Sequence, residues 1–530
     1  MTNPEPPDDR RSFASRTPAN DNPEQVVYRR GFVTRHQVTG WRFVMRRIAS
    51  GVALHDTRML VDPLRTQTRA VVMGVLIVVT MLVGCFVFSL IRPGGSAGTN
   101  AILADRSTAA LYVKVGDELH PVLNLTSARL IAGRPVNPSM VKSSELDRFP
   151  RGNLIGIPGA PERMVQNTGK DADWTVCDAV GGPATGVTVI AGAPDSSGAR
   201  ATALGAGRAV LASNGTGSWL LWDGRRSRID PADRAVTGAL GLGGDIPAPR
   251  SVSIGLFNAI PEAPPLTAPA IPDGGSPPRF GLPLSAPIGT VVETYALKTN
   301  SDSTSANTVL YYAVLADGLQ PISPVLAAVL RNTNSYGLGQ PPRLGADEVA
   351  RLPVSRMLDT SRYPDQRIRL VDAARDPVTC AHWSKPDGAS TNSLTLLAGS
   401  ALPVPEAVHT EELVGAGIDG VATRVAMAPG TGYFTQTVGQ NAASPAAGSL
   451  FWIADTGVRY GIENEGGATG HAKTAEVLGL NPPPTPIPWS VLSLFAPGPT
   501  LSRADALLAH DGLAPDARPG RVTSAQEETR

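Results

Sequence analysis

"ALYVKVGDELHPV" (residues 110–122) reads as an aromatic-bearing strand, a turn at Gly116 and Asp117, and a second short strand. Gly and Asp tolerate the positive φ that a tight hairpin needs. The same shape returns as "LLWDGRRSRID" (220–230), "LYYAVLADGLQPIS" (310–323) and "LFWIADTGVRYGI" (450–462), with Gly224, Gly318 and Gly457 in the place of Gly116. Asp223, Asp317 and Asp455 stand beside or near those glycines. A further strand precedes each hairpin ("AILA", "RAVLA", "VVETYAL", "YFTQTV") and a helical stretch follows it. Asp230-Pro231 and Ser323-Pro324 offer two of these helices a cap and then proline, and Thr126 and Thr474 begin the other two. Each unit is a three-stranded meander plus one short helix. Alone it buries too little to be stable, so the copies are expected to pack on something shared.

The intervals suggest how. Gly116 to Cys177 is 61 residues and Gly318 to Cys380 is 62, so two half-chains repeat the order hairpin, cysteine, hairpin. "SELDRFPRGNLIGIPGAPERMV" (144–165) answers "DEVARLPVSRMLDTSRYPDQRIRLV" (347–371), each a short helical piece ended by Pro. The expected fold is mainly β with short helices (α+β): four βββα-like repeats around a central β-rich domain, with pseudo-twofold symmetry. The Pro-rich run 261–278 connects the halves. "NPPPTPIPW" (481–489) is expected to be extended polyproline, followed by an apolar run to Phe495 and a short helix capped by Ser502.

Composition agrees with a chain that builds real cores: 42% of residues are apolar and 18% charged, while Gly and Pro make up about a fifth and favour turns over long helices. The net charge of +1 supplies no global field for nucleic acid, yet residues 1–69 hold twelve Arg, no Lys and seven acids.

"AVVMGVLIVVTMLVGCFVFSLI" (70–91) is 22 residues without a charge, bounded by Arg69 and Arg92. At 1.5 Å per residue it covers about 33 Å, enough to cross a bilayer core. It follows 69 polar residues, unlike a cleaved signal peptide. The Arg excess ahead of it favours a cytoplasmic amino terminus. Before the span, Trp41, Val44, Met45, Ile48 and Val52 fall on one helical face and Arg42, Arg46 and Arg47 on the other. That basic amphipathic helix either docks on a partner or anionic lipid, or forms the core face of a small cytoplasmic domain. Docking is preferred, since 69 residues leave little from which to build a core.

Of three cysteines, Cys85 lies in the span and reads as a small buried side chain. Cys177 and Cys380 lie beyond it, each three residues from a tryptophan, Trp174 and Trp383. In an oxidising compartment a disulfide between them is the economical reading; metal ligation is the alternative, but two Cys and His382 lack a fourth partner at zinc spacing. No catalytic constellation is present. Gly169-Lys170 is followed by Asp171 and fails as a Walker A loop, the seven His form no metal spacing, and "GLGGDIPAP" and "GAGIDG" read as loops. No catalytic, cofactor or metal residue is assigned.

The stretch "YRRGFVTRHQVTGWRFVMRRIASGVALHDTRMLVDPLRTQTRAVVMG" (28–74) closely resembles the amino-terminal signature of EccB, a membrane component of mycobacterial type VII (ESX) secretion systems. The resemblance continues through the span, the "DGLQPIS"-like hairpins, the two cysteines and "PWSVLSLFAPGPTLS", and the opening "RRSFASRTPANDNP" looks most like the copy of the siderophore and metal-acquisition system. It implies a single-pass inner-membrane protein with its bulk in the periplasm, assembled with EccC, EccD, EccE and further EccB copies. It implies a structural role in protein export. Family members are commonly labelled ATPases, so ATP enters as a cofactor by that label alone, and an unconventional ATPase is the alternative function. A cell-wall binding module is a weaker one. The expected organisation is a cytoplasmic segment (1–69), a span (70–91), a first repeat and connector (92–170), a central part (171–200), a second repeat (201–260), a connector and third repeat (261–345), a second central part (346–424), a fourth repeat (425–480) and a carboxyl-terminal strap (481–530).

Overall fold

A computed structural model of the chain describes residues 34–55, 63–91, 97–182, 184–296, 309–445, 447–463, 473–516 and 519. The readings made for residues 1–33 and for the end of the tail lie outside these. The chain divides into two units, Met1–Gly94 and Gly95–Arg530.

The first unit contributes two helices, α1 (Arg35–Leu54) and α2 (Pro63–Ile91). Thr34 caps α1, its backbone N–H donating to Gln37 Oε1 at 3.0 Å, and the left-handed His55 ends it. α2 starts on a proline, which suits a first turn whose N–H groups have no partner. It contains the apolar stretch Gln67–Phe88, 22 residues long and uncovered by protein. That is long enough to span a bilayer. Cys85 is exposed on α2 rather than packed inside protein, since no described part of the chain covers that apolar helix.

In the second unit each quoted hairpin is an antiparallel pair extended by the strand before it. The first sheet runs Ile102–Asp105, Leu111–Val115, Glu118–Pro121, with Ser139–Val141 added parallel to its first strand. The second runs Arg208–Ser213, Ser218–Trp222, Arg225–Arg228, flanked by Arg250–Ser251 and Glu262–Ala263. The third comprises Val291–Tyr295, Val309–Val314 and Leu319–Ile322. The fourth comprises Tyr433–Val438, Leu450–Ile453 and Val458–Ile462, with Thr485–Pro488 and Ala496–Pro497 on its edges.

A short helix follows each meander, and Ser323 caps Pro324–Thr333 by accepting the Leu326 N–H. Elsewhere the caps differ from those read in the sequence. Asn124, not Thr126, caps Leu125–Ala132 and accepts the Ser127 N–H at 2.8 Å. Asp233, not Asp230, caps Arg234–Leu240, because Asp230 is spent on a turn in which it accepts the Ala232 N–H. Lys473 precedes Thr474–Leu478 without a side-chain cap.

Between the small sheets lies a seven-stranded one, in the order Thr410–Glu412, Arg424–Ala426, Gly186–Ala191, Ala172–Ala179, Val378–Lys385, Ser393–Gly399, Thr202–Ala203. Its middle pair is antiparallel and joins the two chain halves. Successive side chains on a strand alternate faces. Trp174, Val176, Ala381 and Trp383 therefore enter the largest core, while Cys177, Ala179, Val378 and Cys380 enter a smaller one behind the sheet. The second and third sheets share one further core, and the first and fourth another. The proline-rich carboxyl run is not free polyproline: Thr485–Pro488 pairs in parallel with Tyr433–Val438. A strand edge accepts prolines where their missing N–H groups point away from the partner.

Candidate functional site

Two places carry the residues singled out in the sequence. On α1, Trp41 is 66% exposed, and Val44, Met45, Ile48 and Val52 are exposed with it. Arg42, Arg46 and Arg47 occupy the other side of the same helix. Arg46 also lines a cavity of about 380 Å³ with Thr68, Arg69, Val72 and Met73 of α2. Ser50 is the single buried residue of α1, so no folded core covers the apolar face among the described residues.

The second place is the central strand pair. Cys177 faces Cys380 in register, both are buried, and their sulfurs are bonded across a sequence separation of 203. Trp174 faces Trp383 three positions along. The Trp174 indole N–H donates to the Pro486 carbonyl at 2.9 Å, and its ring meets Tyr433 and Phe495 edge-on at 5.1 and 6.4 Å. This one side chain ties the central sheet to the fourth sheet and to the carboxyl-terminal run.

Of the polar groups close to the disulfide, the sequence pointed to His382 alone, as a possible metal ligand, and the rest went unread. Asp178 accepts the Ser253 N–H at 2.6 Å, and burial pushes its carboxyl up against the opposing pull of that bond and of Arg250. Arg250 donates to the Pro377 carbonyl at 2.7 Å and to Thr379 Oγ1. His382 Nδ1 lies 2.9 Å from Thr175 Oγ1 and Nε2 lies 3.4 Å from Asp173, so one half's strand holds the other's imidazole. Burial lowers the His382 pKa, and Asp173 opposes the shift. Only the strand register brings His382 to Thr175 and Asp173.

Among the turn glycines, Gly116, Gly224 and Gly457 are left-handed, at φ 61°, 69° and 77°. Gly318 is not left-handed; a Cβ there would lie 2.3 Å from the Pro353 carbonyl oxygen, so close backbone approach is what requires glycine. Among the described residues no His, Cys, Asp and Glu cluster has metal-holding geometry. Gly169-Lys170 runs into the strand Ala172–Ala179 rather than a helix, and the exposed Lys170 pairs with Asp387 at 3.8 Å. A phosphate loop needs a helix amino terminus at that point.

Residues 30–515 match a family model described as "Type VII secretion system ESX-1, transport TM domain B". The chain belongs to the EccB family of type VII secretion systems. Within it, a Mycobacterium tuberculosis protein called "ESX-3 secretion system ATPase EccB3" is 74% identical over 525 residues, 98% of this chain and 97% of that one. The solved EccB3 dimer from the ESX-3 core complex is 61% identical, with a TM-score of 0.68, over 77% of this chain and 100% of its own. A chain of the intact ESX-5 inner membrane complex is 37% identical, with a TM-score of 0.71, over 94% of this chain and 100% of its own. The chain is thus a component of a type VII inner-membrane assembly, mainly β with one helix among the described residues able to span.

Proposed function

We propose that this chain is a structural subunit of the membrane core of an ESX-3-type secretion system, serving protein export linked to iron and zinc acquisition. α1 lies in the cytoplasm, α2 crosses the inner membrane, and the second unit stands in the periplasm. The Arg excess ahead of the span and a disulfide beyond it support that orientation. α1 anchors the assembly with EccC, EccD and EccE, and further EccB copies pair through the periplasmic unit. The existence of an EccB3 dimer and of an ESX-5 membrane complex among its relatives supports pairing and assembly, and the exposed apolar face of α1 supports its part as the anchor. ATP hydrolysis is assigned to EccC; the strand that follows Gly169-Lys170 supports leaving it there.

The periplasmic unit is read as four repeats about a central domain, duplicated with pseudo-twofold symmetry. Matching bonds support this: the Leu119 N–H donates to the Pro150 carbonyl at 2.9 Å and the Leu319 N–H to the Pro353 carbonyl at 2.8 Å. Likewise Arg226 donates to the Phe257 and Ile260 carbonyls, and Arg459 to those of Ser493 and Phe495.

The observation that carries the proposal is the bare apolar face of α1 ahead of a spanning helix. Large exposed apolar faces mark association surfaces, with Trp the commonest anchor. Trp41→Ala combined with Ile48→Ala is expected to abolish co-purification of EccC and EccD from native membrane while leaving insertion and the disulfide intact. Changing Arg42, Arg46 and Arg47 to Glu does the same, most severely at low salt. A complex that survives both sets moves the assembly contacts to α2 or the sheets. For orientation, alkaline phosphatase fused after residue 530 is active and fused before residue 69 silent; the reverse pattern inverts the topology.

A further inference from the structure

The second and fourth sheets can be aligned through their strand pairings, with one extra residue in the turn of the fourth. In the second, Leu221 pairs with Val210, and in the fourth, Ile453 pairs with Tyr433. The two edge arginines, Arg226 and Arg459, fix the other end of the alignment. Gly207 then corresponds to Gly430, and both are left-handed, at φ 76° and 75°. Arg208 corresponds to Thr431, Asp223 to Asp455 and Arg225 to Val458.

In the fourth sheet the turn carboxylate closes on the loop: Asp455 Oδ2 accepts the Gly430 N–H at 2.7 Å. In the second the corresponding carboxylate turns away, Asp223 Oδ2 pairing with Arg225 Nη2 at 2.8 Å. A cavity of about 440 Å³ lies there instead, lined by Gly207, Arg208, Asp223, Arg225, Tyr363 and Gln366 among others. Its size suits a small molecule. The two positions that hold uncharged Thr431 and Val458 in the closed copy hold guanidinium groups in the open one. Arg225 also stacks over Trp222 at 4.8 Å and donates to the Ser361 carbonyl at 3.1 Å, which holds its fork at the rim. Arg208 reaches Asp376 at 3.4 Å, and Asp365 is the remaining acid of the lining.

We propose that this pocket binds a small organic carboxylate, which takes the place that the Asp455 carboxylate occupies in the fourth sheet. The ligand's carboxylate displaces Asp223 from Arg225 and meets both guanidinium groups. Planar forks recognise carboxylates through paired N–H donors. The inference rests on the alignment of the two sheets and not on any assembly partner.

The test is titration calorimetry on the detergent-solubilised full chain, with glutarate and D-glucuronate as carboxylate probes and inorganic phosphate as a contrasting anion. Saturable binding of one of the carboxylates, with phosphate weaker, is expected. Arg225→Gln should weaken it by about tenfold or more, the usual consequence of losing a charge-assisted bond. Asp223→Asn should tighten it, because the competing internal carboxylate is gone; a merely structural role for Asp223 would not move affinity in that direction. Asp455→Asn, in the closed copy, should leave it unchanged. Absence of saturable binding to the disulfide-bonded, folded protein, or binding indifferent to both Asp223→Asn and Arg225→Gln, overturns the proposal. Loss of EccC and EccD from a purification bears on α1 alone and leaves this result standing.

Discussion

Trp41 and Trp174 place the same side chain in opposite surroundings. Trp41 stands on α1 with its ring in the open, beside other apolar residues equally bare. Trp174 is fully buried, hydrogen-bonded through its indole and wedged between two aromatic rings. A chain able to bury Trp174, Trp452 and Phe495 completely has no general shortage of core. The bare face of α1 is therefore a local feature, and it means that the two regions depend on different things. The central sheet is held by its own chain, whereas the apolar face of α1 finds no cover among the described residues, as the proposed docking requires.

The sharpest way to break that contrast is to cut the link between the chain halves. Cys177→Ser opens a loop of about 200 residues, for which the chain-entropy account gives on the order of 5 kcal/mol. Denaturant unfolding of the second unit should show a loss approaching that size, and an unchanged midpoint would mean that packing alone joins the halves. Trp174→Ala comes next, at about 3–5 kcal/mol, for the cavity left by a buried Trp and the stranded Pro486 carbonyl. Its melting temperature should fall without reduction of the disulfide.

A smaller effect belongs to His382. Its pKa is lower in the folded protein than in the unfolded chain, so folding favours the neutral ring. That contribution is complete above the ordinary histidine pKa of about 6.5 and is lost as the pH falls below it, because the unfolded chain then binds more protons. The melting temperature should drop between pH 7.5 and 5.5, and His382→Gln should flatten the drop. Asp178, whose pKa is raised, works in the opposite sense at lower pH, so the difference between the wild type and the variant is the proper readout. Smallest of all for stability is the Trp41→Ala and Ile48→Ala pair: exposed sites rarely change folding free energy by more than about 0.5 kcal/mol. The same pair should have the largest effect on assembly, which is what separates a docking face from a core.

How much of this was legible depends on the range of the signal. The span needed only 22 successive uncharged residues, and the hairpins at Gly116, Gly224 and Gly457 needed only a left-handed turn, both of them local properties. Helix caps were legible where one candidate stood alone, as at Ser323, and not where Asp230 and Asp233 competed, since both can bond the backbone ahead of them. The His382, Asp173 and Thr175 cluster carried no sequence signal, because its members come from strands more than 200 residues apart and meet only through register.

By itself, then, the sequence determined a helix long and apolar enough to span a bilayer, the amphipathic character of α1, the mainly β composition and the four meanders, because periodicity, length and turn chemistry act over a few residues. Tertiary structure alone decided that the first sheet shares a core with the fourth and the second with the third, that a proline-rich run becomes a sheet edge, and that Gly318 is needed for the approach of Pro353. It also decided that one turn carboxylate closes on its glycine loop while its counterpart leaves a pocket. Those outcomes follow from which surfaces fit when distant segments meet. Complementarity of that kind belongs to the folded whole, and no short stretch of residues specifies it.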